Sequence, residues 1–522
     1  MAETVVFSSE HECFVDKVSK EPVPINKLTK NDLPYWVLKW YTKFSSRTNK
    51  NNNNDFIDNS PIINFLFNSK IEKSLYKFQR EDIQRAIFEF NGRVMLGHDM
   101  GSGKSLISLA IAMYYGGSIL IVSPSYLLFN WMKQISMWDI SINEKDDILI
   151  IRKTKDMILP HKKYYIISYD MLVRKITDFF PAFKFTTIIC DESQYLKNKD
   201  SKRVRVLSPF LKQNSERLLF LTGTPMKSYP RDLFCQLSIL HPTLFYDYYQ
   251  FAVRYCDAKQ TYWGWDDKGV SNIEELQFIV KNLCIRRLKK DILPDLPAKR
   301  RKSVYIEVKK TSKMKYQEKK FKQLLKCEGV SLNNNNDKEI LFLISQMYTE
   351  LSYVKVKPVL EYLGSIYENG YTEKTLIFGH HMHFLDALEN FCIEKEIGYI
   401  RIDGTVDAKK RQNLVDEFRN PQNSKLQFAI LGISATCTGL TFAPVSNVIY
   451  AELVWDFSTI AQSEDRINRI GAEDISEYTY LLAENTVDER LLKKLVLKNN
   501  LANAVVDFDS NNENGHTFEF IE

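Results

Sequence analysis

Short runs of β-branched and other apolar residues recur along the chain, separated by stretches whose apolar positions fall three and four apart. GRVMLG, SILIVSP, DDILIIR, KYYIISYD, FTTIICDE and RLLFLTGTP are strand-length runs with helical spacing among them. Such alternation predicts a mainly parallel sheet covered by helices, because parallel strands need the crossovers that helices supply. The pattern lapses from about Pro242 to Pro358, a span rich in Tyr, Trp, Lys and Arg with helical pieces such as KMKYQEKKFKQLL. It then resumes with TLIFGH, YIRIDG, FAILGI, NVIYAEL and YTYLLAE as strands, and LDALENFCIEKE, KKRQNLVDEF and TIAQSEDRINRI as helices between them.

The expected fold class is therefore α/β, with two lobes flanking a mainly helical insertion and no solenoid-type repeat. The expected boundaries are an N-terminal segment of unassigned role over 1–72, a first lobe over 73–247, an insertion over 248–356, a second lobe over 357–505 and a tail over 506–522. Asparagine runs at Asn49 to Asn54 and Asn333 to Asn336 read as loops or linkers, since they have nothing to pack.

Composition narrows the class. A length of 522 residues suits roughly three to four domain-sized units. With 44% apolar and 26% charged residues, the chain is neither disordered nor fibrous. Lys and Arg number 71 against 65 Asp and Glu, so the net charge of +6 permits a polyanionic partner without demanding one. Eight cysteines without a C-x-x-C pair argue against a zinc ribbon or a secreted disulfide scaffold, and a reducing intracellular compartment is expected. Ser105 to Met132 lacks charge and is long enough to suggest a membrane span, but Gly116-Gly117-Ser118 and Pro124 divide it into soluble α/β pieces. The N-terminal MAETVVFSSEHECF has no secretory pattern.

The chemistry concentrates at strand ends. HDMGSGKS lies between an apolar strand and a helix, the context of a phosphate-binding loop, although His98 stands at the first glycine position of the strict motif. Gly101 and Gly103 let backbone amides approach phosphates, Lys104 reaches the β/γ-phosphates, and Ser105 is placed to ligate Mg²⁺. Asp191-Glu192 ends a buried strand, Asp191 suited to Mg²⁺ and Glu192 to activating the attacking water. Thr222-Gly223-Thr224-Pro225 follows another strand, and in a nucleotide-driven motor would couple the phosphate state to lobe movement. Gln462, Asp465, Arg466 and Arg469 fall at i, i+3, i+4 and i+7, one helix face, where two arginines suit a transition-state clamp and a solvated charged face is the alternative. His380-His381-Met382-His383 reads as a loop in preference to a zinc site. The basic runs Arg286 to Lys290 and Lys299 to Lys302, with Trp263 and Trp265 upstream, serve a phosphate backbone, a solvated face or a brace between lobes.

In this order the segments resemble the ATPase motor of helicase superfamily 2, and specifically the Swi/Snf-type DNA translocases, over about Leu75 to Lys498. Phe78-Gln79 looks like the family's adenine-reading motif, HDMGSGKS like its phosphate loop, DESQ like its Asp-Glu-x-His box, and LTGTP and QSEDRINRIG like motifs III and VI. YCDAKQTYWGWD, RRLKKDILPDLPAKRRK and SATCTGLTF are most similar to the annealing-helicase (HARP-like) branch. The resemblance implies two RecA-like lobes, ATP and Mg²⁺ as cofactors, and a nucleotide site of Gln79, Met100, Gly101, Ser102, Gly103, Lys104 and Ser105. It implies catalysis by Lys104, Asp191, Glu192, Gln462 and the arginine fingers Arg466 and Arg469, with Thr222, Gly223, Thr224 and Gly439 coupling hydrolysis to movement.

The expected activity is ATP-driven translocation on double-stranded or forked DNA, with RNA open as a partner, no membrane, and a nuclear location in a eukaryote. A strand-separating helicase and a non-hydrolysing nucleic-acid scaffold are the alternatives. His98-Asp99, Gln194 and Ala472 depart from the family pattern. None removes a group that performs hydrolysis, and Gln194 keeps a donor and an acceptor.

Overall fold

The computed structural model describes residues 5–8, 13–17, 19, 23, 37, 41, 71–179, 183–226, 229–261, 264–292, 297, 299–327, 334–368, 373–433, 440, 442, 445–455, 457–465, 467–468, 475–493 and 495–496. The chain forms two compact units, one built mainly from residues up to Ile292 and the other from Leu293 onward.

The first unit opens with an antiparallel pair, β1 (Val5–Ser8) and β2 (Cys13–Asp16). There follow α1 (Lys77–Phe88), β3 (Arg93–Leu96), α2 (Lys104–Tyr115), β4 (Ile119–Ser123), α3 (Leu128–Trp138), β5 (Ile148–Ile151), β6 (Tyr164–Ser168) and β7 (Phe185–Asp191). Then come α4 (Lys202–Gln213), β8 (Ser215–Leu221), α5 (Arg231–Leu240), α6 (Tyr248–Tyr255), the short β9 (Lys259–Thr261) and β10 (Gly264–Asp266), α7 (Ile273–Lys281) and β11 (Cys284–Ile285). Seven strands form one sheet in the order β11-β3-β8-β7-β4-β6-β5, and every pairing is parallel.

Strand β4 shows why the apolar runs are unbroken rather than alternating. Leu120 and Val122 enter one hydrophobic core while Ile119 and Ile121 enter another on the opposite face, so both faces are buried. Helix α2 ends at Gly116, with φ of 65°, and Gly117, with φ of 71°, left-handed conformations that glycine adopts without a Cβ penalty. Phe7 and Phe14 pack into the first of these cores, with Phe7 4.7 Å from Phe278 of α7 between ring centroids. The N-terminal hairpin is thus part of this unit.

The second unit contains β12 (Lys299–Ile306), α8 (Ser312–Cys327), α9 (Asn334–Glu368), β13 (Thr375–Gly379), α10 (Met382–Glu394), β14 (Gly398–Ile402), α11 (Ala408–Arg419), β15 (Leu426–Gly432), β16 (Asn447–Tyr450), α12 (Phe457–Asp465) and β17 (Ser476–Ala483). Its six strands are ordered β12-β17-β16-β13-β15-β14, again all parallel.

Two expectations change. The span read as a helical insertion also supplies one edge strand to each sheet, β11 to the first and β12 to the second. Two residues are too few for β11 to show a pattern in LCIRR, and an edge strand needs less apolar sequence, which is why KRRKSVYI does not read as a buried strand. The second Asn run does not stay a loop from Asn334 onward, because it begins α9, where asparagine suits a helix start. Among the described residues no helix is long and apolar enough to cross a membrane.

Candidate nucleotide site

Three strand ends lie side by side. Leu96 of β3 and Asp191 of β7 are both in register with Leu221 of β8, so the segments that follow them emerge together at the carboxyl edge of the first sheet. That edge is where open α/β sheets bind ligands.

The phosphate loop occupies the first of these exits. Gly101 and Gly103 have φ of 84° and 83°, and Gly103 starts α2 with no side chain capping the helix, which leaves its first amides to an anion. Gln79 is buried on α1 and clamps the loop: its Nε2 donates to Ser102 O at 2.9 Å and its Oε1 accepts from Tyr76 N at 3.0 Å. A Cβ on Gly103 would overlap the Gln79 amide. Gln79 therefore shapes the loop as well as being the expected adenine reader. Lys104 Nζ donates to His98 O at 2.8 Å and Asp99 O at 3.0 Å, and Ser102 Oγ to Asp99 O at 2.9 Å. Burial pushes the Lys104 ammonium down to about 8, against the pull of Glu192, Asp191 and Asp99.

The second exit carries the Asp-Glu pair. Asp191 Oδ2 accepts from Trp131 Nε1 of α3 at 2.9 Å, and its Oδ1 accepts from Glu192 N at 3.0 Å. Burial, then the Glu192 charge, raise the Asp191 carboxyl above the usual carboxylate range. Glu192 sits at a φ of 52°, a left-handed conformation uncommon outside glycine, asparagine and aspartate, and its carboxylate accepts from Gln194 Nε2 at 2.5 Å.

The third exit is joined to the other two. Gln194 Oε1 accepts from Thr222 Oγ1 at 2.8 Å, and Thr222 Oγ1 accepts from Thr224 N at 3.0 Å. A Cβ on Gly97 would lie 2.9 Å from Pro225 Cγ, and one on Gly223 would lie 3.1 Å from Met100 Cγ, so loop approach requires both glycines. The Thr224 hydroxyl is buried with no hydrogen-bond partner among the described residues. Uncapped amides, a lysine whose hydrogen bonds among the described residues go to loop carbonyls, and this orphaned hydroxyl fit a phosphorylated ligand. Ser105 and Asp191 would be the two protein oxygens to hold Mg²⁺ beside phosphate oxygens.

Two acids of α1 that the sequence reading did not single out, Glu81 and Asp82, tie the basic run and His98 into the arrangement. Arg287 grips Asp82 of α1, with Nε and Nη2 at 3.0 and 2.8 Å from Oδ1, and Nη2 lies 3.0 Å from Glu81 Oε2. His98, fully buried, has Nε2 3.1 Å from Asp82 Oδ2 but out of hydrogen-bonding line. Burial lowers the His98 pKa, with Asp82 opposing. Arg286 Nη2 lies 3.2 Å from Asp99 Oδ1, and its Nη1 donates to Gly97 O and, at 3.3 Å, to Gly223 O. The only signal for these partners was the basic run itself, because Asp82 and Arg287 are 205 positions apart.

In the second unit, Gln462 and Asp465 lie on α12, and Asp465 Oδ1 accepts from Lys299 Nζ at 2.9 Å. Arg466, Arg469 and Gly439 lie outside the described residues. The histidine triplet meets one acid: Glu452 Oε2 accepts from His380 N at 2.7 Å and His381 N at 2.9 Å, and His381 Nδ1 is 2.8 Å from Oε1.

A glycine-rich loop and an Asp-Glu pair at the ends of two strands that flank β8 in a parallel sheet, followed by a second parallel α/β unit, define a two-lobed phosphate-loop protein of the RecA-like kind. The chain belongs to the SNF2-related family: the SNF2-related domain matches residues 36–351, and a helicase conserved C-terminal domain matches 355–471. It is 36% identical over 433 residues to the Xenopus laevis SWI/SNF-related matrix-associated actin-dependent regulator of chromatin subfamily A-like protein 1, covering 81% of this chain and 43% of that one. It is 33% identical over 436 residues to the human DNA annealing helicase and endonuclease ZRANB3, covering 82% and 40%. The chain thus spans less than half the length of these two relatives. The Sulfolobus solfataricus SWI2/SNF2 ATPase core in complex with dsDNA aligns with 83% of the chain at 19% identity and a TM-score of 0.40.

Proposed function

We propose that the chain is an ATP-dependent DNA translocase that remodels or anneals DNA or displaces bound proteins. The observation that carries this reading is the hydrogen-bonded run Glu192–Gln194–Thr222–Thr224, which ties the water-activating carboxylate to the segment expected to couple hydrolysis to movement. Lys104 and the amides of α2 would bind the phosphates, with Ser105 and Asp191 holding Mg²⁺. The metal's chemistry is to neutralise charge on the phosphate oxygens. Glu192 would orient water and take its proton, while Arg466 and Arg469 would stabilise charge developing on the transferred group. Double-stranded or forked DNA is the favoured partner, since relatives are named for DNA annealing and chromatin regulation, and this also supports a nuclear site of action.

Steady-state hydrolysis without nucleic acid and with duplex DNA, forked DNA, single-stranded DNA and RNA tests the proposal, with Glu192→Gln as the blank. Stimulation by duplex or forked DNA, lost in the variant, supports translocation. Stimulation by RNA alone transfers the assignment to RNA remodelling, and absence of turnover favours a scaffold.

A further inference from the structure

The connector from Cys284 to Ile306 carries eight cations, Arg286, Arg287, Lys289 and Lys290 at one end and Lys299 to Lys302 at the other. A nucleic-acid ligand keeps such charges exposed and available. Here the described ones are already engaged. Arg286 binds the Asp99 carboxylate and Arg287 that of Asp82, which is 0% exposed, and Asp99 Oδ2 also accepts from Lys289 N at 2.9 Å.

At the other end Arg301 forks onto Glu464 of α12, Nε to Oε1 at 2.8 Å and Nη2 to Oε2 at 2.6 Å, and Lys299 Nζ bridges Glu464 and Asp465 at 3.2 and 2.9 Å. Glu464 is 1% exposed, and Tyr480 Oη donates to its Oε1 at 2.8 Å. Tyr478 Oη of β17 donates to Glu464 O at 3.1 Å, and Asn468 Nδ2 donates to Pro297 O, two residues before β12, at 2.8 Å, so Glu464 and Asn468, which bracket Arg466 in sequence, are both fastened. The outward pair Arg300 and Lys302 lies 3.3 and 3.6 Å from Glu477.

We propose that the connector is a positioning element of the ATPase reaction. Arg286 and Arg287 fix the phosphate loop against α1, while Lys299 and Arg301 fix the end of α12 that leads directly into Arg466. One stretch of chain thereby holds a nucleotide motif in each unit. The inference rests on the nucleotide reading given under Proposed function, and it gives Arg286, Arg287, Lys299 and Arg301 a role other than contact with a DNA backbone. Asp82 and Glu464 are buried, so loss of Arg287 or Arg301 strands a charge and displaces its backbone.

The test compares the full chain with Arg287→Gln, Arg301→Gln, Arg301→Lys and the double variant Arg301→Gln/Glu464→Gln. The expected split is an ATP KM raised about fivefold in Arg287→Gln, and a kcat lowered about tenfold at nearly unchanged KM in Arg301→Gln. The double variant recovers most of the kcat, because two amides satisfy each other without charge, and Arg301→Lys recovers less, lacking the fork. Duplex-DNA affinity and its salt slope stay at wild-type values. A weakened DNA affinity with a shallower salt slope at wild-type kcat overturns the proposal, as does a uniform loss of activity that tracks loss of folded protein in calorimetry. Should the wild type hydrolyse no ATP, the nucleotide reading fails, and amide exchange decides the positioning claim. Faster exchange confined to 457–465 in Arg301→Gln supports it, and unchanged exchange there overturns it.

Discussion

Gln194 stands between Glu192 and Thr222, donating to the carboxylate through its amide nitrogen and accepting the threonine hydroxyl through its amide oxygen. Only a side chain with both a donor and an acceptor can serve the two neighbours at once. Gln194→Leu strips the buried Glu192 carboxylate of this donor and leaves the Thr222 hydroxyl, still accepting from Thr224 N, without an acceptor, at a cost of about 1–3 kcal/mol. Thermal unfolding should show that loss, and single-turnover hydrolysis should fall about tenfold while the affinity for a non-hydrolysable ATP analogue hardly changes. Gln194→His retains both hydrogen-bonding functions and should keep most of the rate.

Trp131 offers a second test of the same carboxylates. Its indole nitrogen donates to Asp191 from within the core, so Trp131→Phe keeps most of the packing and deletes the bond. The expected cost is about 1–2 kcal/mol in urea unfolding, with a larger proportional loss in kcat than in ATP affinity as Asp191 loses its aim.

Gly103 combines a φ of 83° with a Cβ position that the Gln79 amide occupies. Gly103→Ala should abolish nucleotide-analogue binding in calorimetry and lower stability by about 1 kcal/mol or more. Gly404→Ala is the matched control: nothing lies within 4 Å of its Cβ position, and both binding and stability should be unaffected.

Glu464 predicts an acid limit for the second unit. Burial opposes its charge, yet Arg301 and Lys299 outweigh that cost and hold the carboxyl down to about 2 from 4.5. A pKa lowered on folding contributes stability above the unfolded value and loses it as pH falls through the folded one, so the window runs from about 4.5 to about 2. The contribution is on the order of 3 kcal/mol. Unfolding of Glu464→Gln should lack that slope, and a wild type with the same flat profile contradicts the assignment.

The strands were legible where the residues themselves carry the information. FTTIICD and RLLFL are apolar because both faces of their sheet are buried, and the loop glycines announce themselves because positive φ favours them. Gln79, Lys104, Asp191, Glu192 and Thr222 were readable from motif order for the same reason. What sequence could not show was pairing at a distance. Arg301 meets Glu464 across 163 positions, and a run of lysine and arginine looks alike whether it faces phosphate or a buried acid. Trp131 was equally silent, because an indole that donates to a carboxylate such as Asp191 is indistinguishable by pattern from one that fills a core. The short β11 escaped because two residues carry no periodicity, and the polar β12 because an edge strand relaxes the apolar requirement that made the inner ones visible.

Those two strands also say where the protein can be divided. Ile285 O accepts from Gly97 N at 2.8 Å beside β3, whereas all eight residues of β12 are in register with β17. A break between Ile292 and Lys299 gives each fragment its complete sheet and its own arginine clasp. A break near Pro242, where the apolar pattern lapses, takes β11 and Arg286 away from the loop they support. For separate expression of the halves, or for their reassembly as a split enzyme, the joint belongs after Ile292 rather than at the apparent end of the first strand series.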